Sequence, residues 1–332
     1  MRIAILGAPT GLSGGPSSFR AALERSLRIE GHILVEDGAS RIAKPDAILV
    51  IGGTRHLGRL VRLRLTGCAI VLRLDGVPTA GASALSASAR LKQFGRLLSI
   101  LFTKAFLATS IVYQSEYSHR AWRDLPFGTF AQPPSTVVHN GTELDLFRPS
   151  SLKIPQIAVV EGSISAIDHG IELLSKISGK FRQQGRDETF LICGRINPDD
   201  QRRLETLTNV RVMGPLSRTR LSEEVGRSQV MLSLEHAPSC PNAVIESLAA
   251  GTPVVGFETG AMPELIDATC GALVVERVGA DRASDESVRL LTESLVRVID
   301  DRDRMAAAAR HRSETRFDIN EVAVRYVQVM SK

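Results

Sequence analysis

The sequence predicts an α/β protein made of two doubly wound units. Three observations carry this. Short apolar runs of strand character alternate with longer helix-like segments from one end to the other, the pattern of parallel strands joined by crossover helices. The alternation restarts after a break at Phe147-Arg148-Pro149-Ser150-Ser151. A length of 332 residues is more than one ordinary core accommodates and suits two.

In the first half, a strand at Ile3–Gly7 is followed by a helix from Ser18 to Glu30, a short strand around His32–Glu36 and a strand at Ala47–Gly52. A helix at His56–Leu65 leads to a strand at Ala69–Leu74. Leu85–Ala108 reads as a long amphipathic helix, and Ile111–Gln114 and Thr136–Val138 as strands. After the break the strands are Ile157–Val160, Phe190–Cys193, Val210–Met213, Val230–Leu234, Val254–Phe257 and Leu273–Val275. Pro149 marks the expected boundary, which gives domains 1–149 and 150–312, with a terminal helix over 313–332.

Composition narrows the class. A chain with 43% hydrophobic and 23% charged residues is typical of soluble globular proteins. No apolar run approaches the ~20 residues of a membrane-spanning helix, and the opening run is too soon broken by Gly and Pro to be a signal peptide. Cys68, Cys193, Cys240 and Cys270 lie far apart, which argues against a zinc site or disulfide framework and for a reducing cytoplasm. Charge is uneven. Residues 1–150 hold 18 Lys and Arg against 10 Asp and Glu, and the remainder 23 against 26. A basic first half attracts anions such as membrane head groups or phosphorylated acceptors. No nucleic-acid recognition motif accompanies it.

The strongest local pattern runs from Val230 to Glu264. A buried strand leads into the loop Glu235-His236-Ala237-Pro238-Ser239-Cys240, then a helix over Pro241–Ala250. Pro near the first turn and Gly251 after the end are start and stop signals. This sets a helix N-terminus at the carboxyl end of a parallel strand, a place suited to a diphosphate. Glu246 falls one turn after Asn242, and a carboxylate there can accept two hydrogen bonds from a ribose diol.

These residues, with Gly251-Thr252-Pro253-Val254-Val255 and Pro263-Glu264, resemble the donor-binding signature of the family-4 retaining glycosyltransferases (glycosyl transferases group 1), in its Cys-Pro-Asn form. The resemblance implies a GT-B fold: two Rossmann-like doubly wound domains facing a cleft, acceptor domain first and donor domain second, with the C-terminal helix crossing back to the first. It assigns Glu246 to the donor ribose. The family's first Glu falls on Pro238, so Ser239, Cys240, Asn242 and the loop amides become donor candidates, with Gly194 and Gly214 at neighbouring strand ends.

Further matches cover most of the chain. His139–Pro149 resembles the family's interdomain segment, and Arg316–Tyr326 its final helix. Gly11–Phe19 is similar to its Gly-Gly loop, which makes Gly14 and Gly15 cleft residues; it does not fit the dinucleotide pattern. Arg73 and Asp75 end a strand, and Asp75 sits where the family often has a catalytic-domain His, so the pair is the catalytic candidate. Val112–Glu116 resembles the strand leading to an acceptor-side helix. One departure stands out. The family's phosphate-binding Arg and Lys fall on Ser163 and His169, so one cation is absent, a His stands for the other, and Arg195, Arg218 or the first domain is left to supply charge.

The implied activity is metal-independent, retaining, hexosyltransferase-like transfer from a nucleotide diphosphate sugar to a carbohydrate or lipid-linked acceptor, in cell-surface polysaccharide or glycan assembly. No cofactor and no nucleic acid are implied. The location implied is cytoplasmic, peripheral on the inner membrane face, because Leu85–Ala108 carries Arg90, Lys92, Arg96 and Lys104 among apolar residues. The rival readings are a non-catalytic GT-B partner subunit and a sugar-nucleotide epimerase.

Overall fold

The computed structural model describes residues 1–8, 15–35, 44–54, 56–77, 87–126, 128–130, 132–276 and 281–332. The chain forms two compact units, Met1–Asn140 with Ile319–Lys332, and Gly141–Asp318.

The first unit contains β1 (Arg2–Gly7), α1 (Gly15–Ile29), β2 (Ile33–Val35), β3 (Ala47–Ile51), α2 (Leu57–Leu65), β4 (Ala69–Leu74), α3 (Ala87–Phe102), β5 (Ser110–Tyr113), α4 (Glu116–Arg123) and β6 (Ser135–Val137). Its sheet is parallel, in the order β2-β1-β3-β4-β5-β6. Buried parallel strands alternate their side chains between two cores. Ile3, Ile5, Leu49 and Val71 pack with Phe19 and Leu23 of α1. Ala4, Leu6, Ile48, Ile70 and Leu72 pack with Leu60 of α2, Ile100 of α3 and Trp122 of α4.

The second unit contains β7 (Gln156–Ser163), α5 (Gly170–Gln183), β8 (Thr189–Arg195), α6 (Pro198–Glu205), β9 (Val210–Gly214), α7 (Arg218–Arg227), β10 (Val230–Leu232), α8 (Asn242–Ala249), β11 (Val254–Phe257), α9 (Met262–Leu265), β12 (Gly271–Val274), α10 (Asp285–Asp300) and α11 (Arg302–Arg316). Its parallel sheet runs β12-β11-β10-β7-β8-β9. Helix starts follow the sequence chemistry: Asn197, Ser217 and Ser284 each accept from the backbone N–H three residues on, caps worth about 1 kcal/mol apiece. α12 (Ile319–Met330) returns to the first unit, where Tyr326 lies 5.9 Å from Phe19 and Ser26 donates to Asn320.

Three details differ from the sequence reading. The units divide at Asn140/Gly141, not at Pro149, because Phe147 is fully buried in the second unit's core with Val244 and Leu248. The terminal stretch is broken in two. Phe317 is fully buried in that same core, so α11 stays with the second unit and only α12 joins the first. The helix read as Leu85–Ala108 is described from Ala87, ends at Phe102, and continues as one π-helical turn over Thr103–Leu107.

Candidate functional site

In each sheet the strand order reverses once, and α/β sheets bind ligands beyond the carboxyl ends of the strands at such a reversal. In the second unit it falls between β7 and β10. β7 ends in Glu161, Gly162 and Ser163, and β10 runs out into the loop 233–241. Glu161 is 8% exposed and its Oε1 accepts from the Leu234 amide at 2.9 Å. Burial holds the Glu161 carboxyl well above the usual carboxylate range, and the nearby Glu235 charge adds to this, against opposing hydrogen bonds from Leu234, Glu235 and Ser233. Glu235 is raised too, by burial.

Arg282 ties this end of the sheet together. It donates to the carbonyls of Leu234 at 3.0 Å and Asp168 at 3.2 Å, pairs with Glu276 at 2.9 Å and lies over the Phe257 ring. The sequence reading missed both residues. Glu161 carried a signal, a charge closing an otherwise apolar strand run. Arg282 carried none, since its partners lie 48 and 114 residues away.

The loop before α8 is shaped by close backbone packing. Ala237 has a positive φ of 46°, and its amide donates to Thr259 Oγ1. Gly260, at φ 60°, passes so near that a Cβ would sit 2.4 Å from the Pro238 carbonyl oxygen. Pro241 precedes the first turn of α8 as its N-cap residue, with Asn242 half-buried behind it. Ser239 is half-buried, whereas Cys240 is 6% exposed and packs in the core with Val244 and Ile245.

Glu246 is 6% exposed, and its Oε1 accepts from Arg218 at 2.7 Å. Arg218 also reaches Glu143 at 3.3 Å and lies over the Phe147 ring. Burial raises the Glu246 carboxyl above its ordinary value, and Arg218 offsets part of that rise. The structure thus joins two sequence candidates, the ribose carboxylate and a phosphate cation, into one ion pair.

Ser163 and Arg195 face each other across β7 and β8. The residue at the missing Arg position therefore has an exposed Arg on the next strand as its neighbour. Gly194 is glycine for a packing reason. Its φ is 147°, and a Cβ would lie 2.0 Å from the Glu161 carbonyl oxygen. Gly214 ends β9. His169 has a left-handed φ of 55° at the start of α5, and three carboxylates surround it: Glu172 and Asp281 at 3.5 Å and Asp168 at 3.7 Å.

In the first unit the reversal lies between β1 and β3. Gly15 opens α1, and Gly14 lies outside the described residues. Arg73, 1% exposed, pairs with Asp75 and donates to Gln114 at 3.0 Å and Asn140 at 2.7 Å, with its guanidinium 4.2 Å from the Phe19 ring centroid. The Asp75 carbonyl accepts from Trp122 at 2.6 Å. Arg73 is enclosed and orients Asp75, whose carboxylate is the member of the pair that reaches solvent, at 21% exposure. Among the described residues no group of three or more His, Cys, Asp or Glu could hold a metal ion. The Asp-x-Asp triplet Asp301-Arg302-Asp303 is occupied by ion pairs to Arg304 and Arg302.

Residues 155–293, all within the second unit, match the family model of glycosyl transferases group 1. Comparison with curated proteins finds no match. Among solved structures, sucrose-phosphate synthase from Thermosynechococcus elongatus is similar with a TM-score of 0.70 at 15% identity, over 99% of this chain and 98% of that one. A glycosyltransferase from Rickettsia africae gives 0.70 at 14% identity, over 99% and 97%. Anabaena HepE, solved with UDP and glucose, gives 0.68 at 13% identity, over 99% of both chains. The chain has the GT-B fold of these glycosyltransferase structures.

Proposed function

We propose that the protein is a retaining, metal-independent family-4 glycosyltransferase of the Cys-Pro-Asn subgroup, moving a hexose from a nucleotide diphosphate sugar to a carbohydrate or lipid-linked acceptor at a membrane surface. The observation that carries the reading is a coincidence of place. The family-model match over 155–293 spans the strand reversal where Glu161, the 233–241 loop and the N-terminus of α8 converge. The HepE structure holds UDP, which makes a uridine nucleotide the first donor to try.

In this reading Glu246 takes the ribose hydroxyls, and Arg218 shares its charge between that carboxylate and Glu143. The amides opening α8 face the diphosphate, where free N–H groups and the positive dipole end favour an anion. Arg195, beside Ser163, supplies the cation that the family takes from a residue at the Ser163 position. As the donor C–O bond breaks, negative charge grows on the leaving diphosphate, and preorganised donors stabilise it. A leaving phosphate oxygen accepts the acceptor's proton on the same face, which retains configuration. In the first unit, Asp75, held by Arg73, is the candidate catalytic carboxylate.

The test is a panel of nucleotide sugars, read by thermal shift and by release of free nucleoside diphosphate. A single donor class that both stabilises the protein and releases diphosphate in excess chelator is the expected result. Stabilisation without release, across a panel of acceptors, would assign the chain to non-catalytic partner subunits. A strict need for added manganese or magnesium would overturn the metal-free part.

A further inference from the structure

α3 is apolar on two faces. Ile100, and Leu107 in the π-helical turn that follows, are buried with Leu60, Leu72 and Ile111. On another face Leu91, Phe94, Leu98, Phe102 and Phe106 recur every three or four residues, so they form one stripe. They are 72, 57, 49, 42 and 62% exposed. The Phe102 and Phe106 rings are 5.2 Å apart, and Phe130, 60% exposed, extends the row at 6.4 Å from Phe106.

Lys104 holds Phe130 in place. The sequence reading counted this lysine among the surface basic residues of the helix, but it is 2% exposed. Its Nζ donates to the carbonyls of Gly128 at 2.7 Å and Phe130 at 3.4 Å. Burial lowers its pKa. Burying an ammonium is costly, and here it secures a turn that presents an aromatic ring to solvent. Soluble surfaces scatter exposed apolar side chains singly; a continuous stripe marks an interaction site.

The setting of the stripe is positively charged. Between Ala47 and Ser115 the sequence has nine Lys and Arg, of which Arg73 and Lys104 are buried, and one carboxylate, Asp75, which Arg73 holds. Lys92 on α3 is exposed. α2 packs against the π-helical turn and adds exposed Arg62 and Arg64 beside Leu65, 82% exposed. Arg96 turns elsewhere, its Cγ lying 3.1 Å from where a Cβ on Gly53 would be.

We propose that this stripe inserts into the head-group layer of an anionic lipid bilayer, with α3 lying along the surface and the α2 arginines on lipid phosphates. Charge selects the occupant. A second copy of this chain would set the same cations against each other, whereas an anionic leaflet neutralises them while taking up the rings. No helix among the described residues is long and apolar enough to cross a membrane. The inference deepens the lipid-linked-acceptor part of the proposed function and rests on it only for its purpose.

The experiment is co-sedimentation of the full chain, without nucleotide, with vesicles of phosphatidylcholine alone or mixed with phosphatidylglycerol. Because no donor is present, its outcome is independent of transferase activity. The protein should pellet with the anionic vesicles, and Phe94→Ser/Phe102→Ser/Phe106→Ser should weaken binding about tenfold or more with an unchanged melting temperature. Should the triple variant misfold, Arg62→Glu/Arg64→Glu/Lys92→Glu serves instead, with the same loss expected. In a Phe106→Trp protein, brominated acyl chains should quench the new emission, while Trp122, 1% exposed, stays dark to them. Wild type left in the supernatant with anionic vesicles at low salt would overturn the proposal. So would a properly folded triple variant that binds as wild type, or a lipid-independent dimer that the triple variant abolishes.

Discussion

The two units share one architecture and invest it differently. Each is a six-stranded parallel sheet with a single reversal of strand order. In the first, the described strand ends near the reversal carry an enclosed arginine and the carboxylate it orients, and the flank carries an exposed aromatic stripe in a basic setting. In the second, the reversal holds a buried carboxyl accepting backbone amides, and charge is matched in pairs: Glu246 with Arg218, Glu276 with Arg282. The fold sets where chemistry can be placed, and the side chains at the strand ends decide what it is. The buried polar groups of the first unit orient their neighbours: Arg73 holds Asp75, and Lys104 holds the Gly128 and Phe130 carbonyls. Those in the second build a closed loop frame around a candidate donor site.

The largest expected effect breaks the first unit's side of that comparison. Arg73→Met leaves Gln114, Asn140 and Asp75 without their shared cation in a buried setting. It should cost about 3–5 kcal/mol in urea unfolding. Asp75→Asn, at the solvent-reaching end, should keep most of that stability and, through poorer positioning of the acceptor, lower turnover by about a hundredfold. Equal stability losses for both variants would make the pair a purely structural clamp.

The second unit's side is sharpened by Glu246→Gln. Loss of the charged acceptor should weaken nucleotide binding by about 1.5–3 kcal/mol in calorimetry at matched folded fraction. Arg218→Met supplies the contrast. If Glu246 serves only its ion pair, both variants lose stability and neither loses nucleotide affinity.

The central strands of both units were legible because buried parallel strands such as β3, β4, β7 and β11 are continuous apolar runs, and Gly251-Thr252-Pro253 punctuates α8 from β11 by local sterics alone. What was illegible depends on contacts distant in sequence. Pro149 is a local breaker, but Phe147 decides which unit the linker joins. α3 is apolar on two faces, so periodicity could not say which face is core, nor that Lys104 points inward. Arg218 and Glu246 each looked like ligand groups, and their pairing across 28 residues has no sequence signal.

A smaller effect tests whether the second unit's charge matching extends to His169. With Glu172, Asp281 and Asp168 within 4 Å of its ring, an incoming diphosphate meets a local negative field. If the ring still reaches the phosphate, His169→Ala should weaken donor affinity a few-fold, by about 0.5–1 kcal/mol in calorimetry. His169→Lys, which sets a fixed cation there, should then bind as well as wild type, or better. Donor affinity unchanged in both variants would leave Arg195 as the phosphate cation and His169 as the residue that opens α5.

The last contrast concerns Glu161, the buried carboxyl at the second unit's reversal. Burial and the Glu235 charge raise its pKa above the ordinary 4.5. Between that value and the raised one, the folded chain holds a proton that the unfolded chain has released. Stability must therefore fall as pH rises through this window. Glu161→Gln keeps an oxygen for the Leu234 amide and cannot ionise. Its unfolding free energy minus that of wild type should be nearly constant below pH 4.5 and grow steadily above it. The difference curve removes the titrations common to both proteins. A difference that stays flat through neutral pH would mean that Glu161 ionises in the folded protein as freely as in the unfolded one. The frame around the 233–241 loop would then hold a charged carboxylate, and a donor diphosphate at this reversal would face repulsion that Arg195 and the α8 amides must overcome.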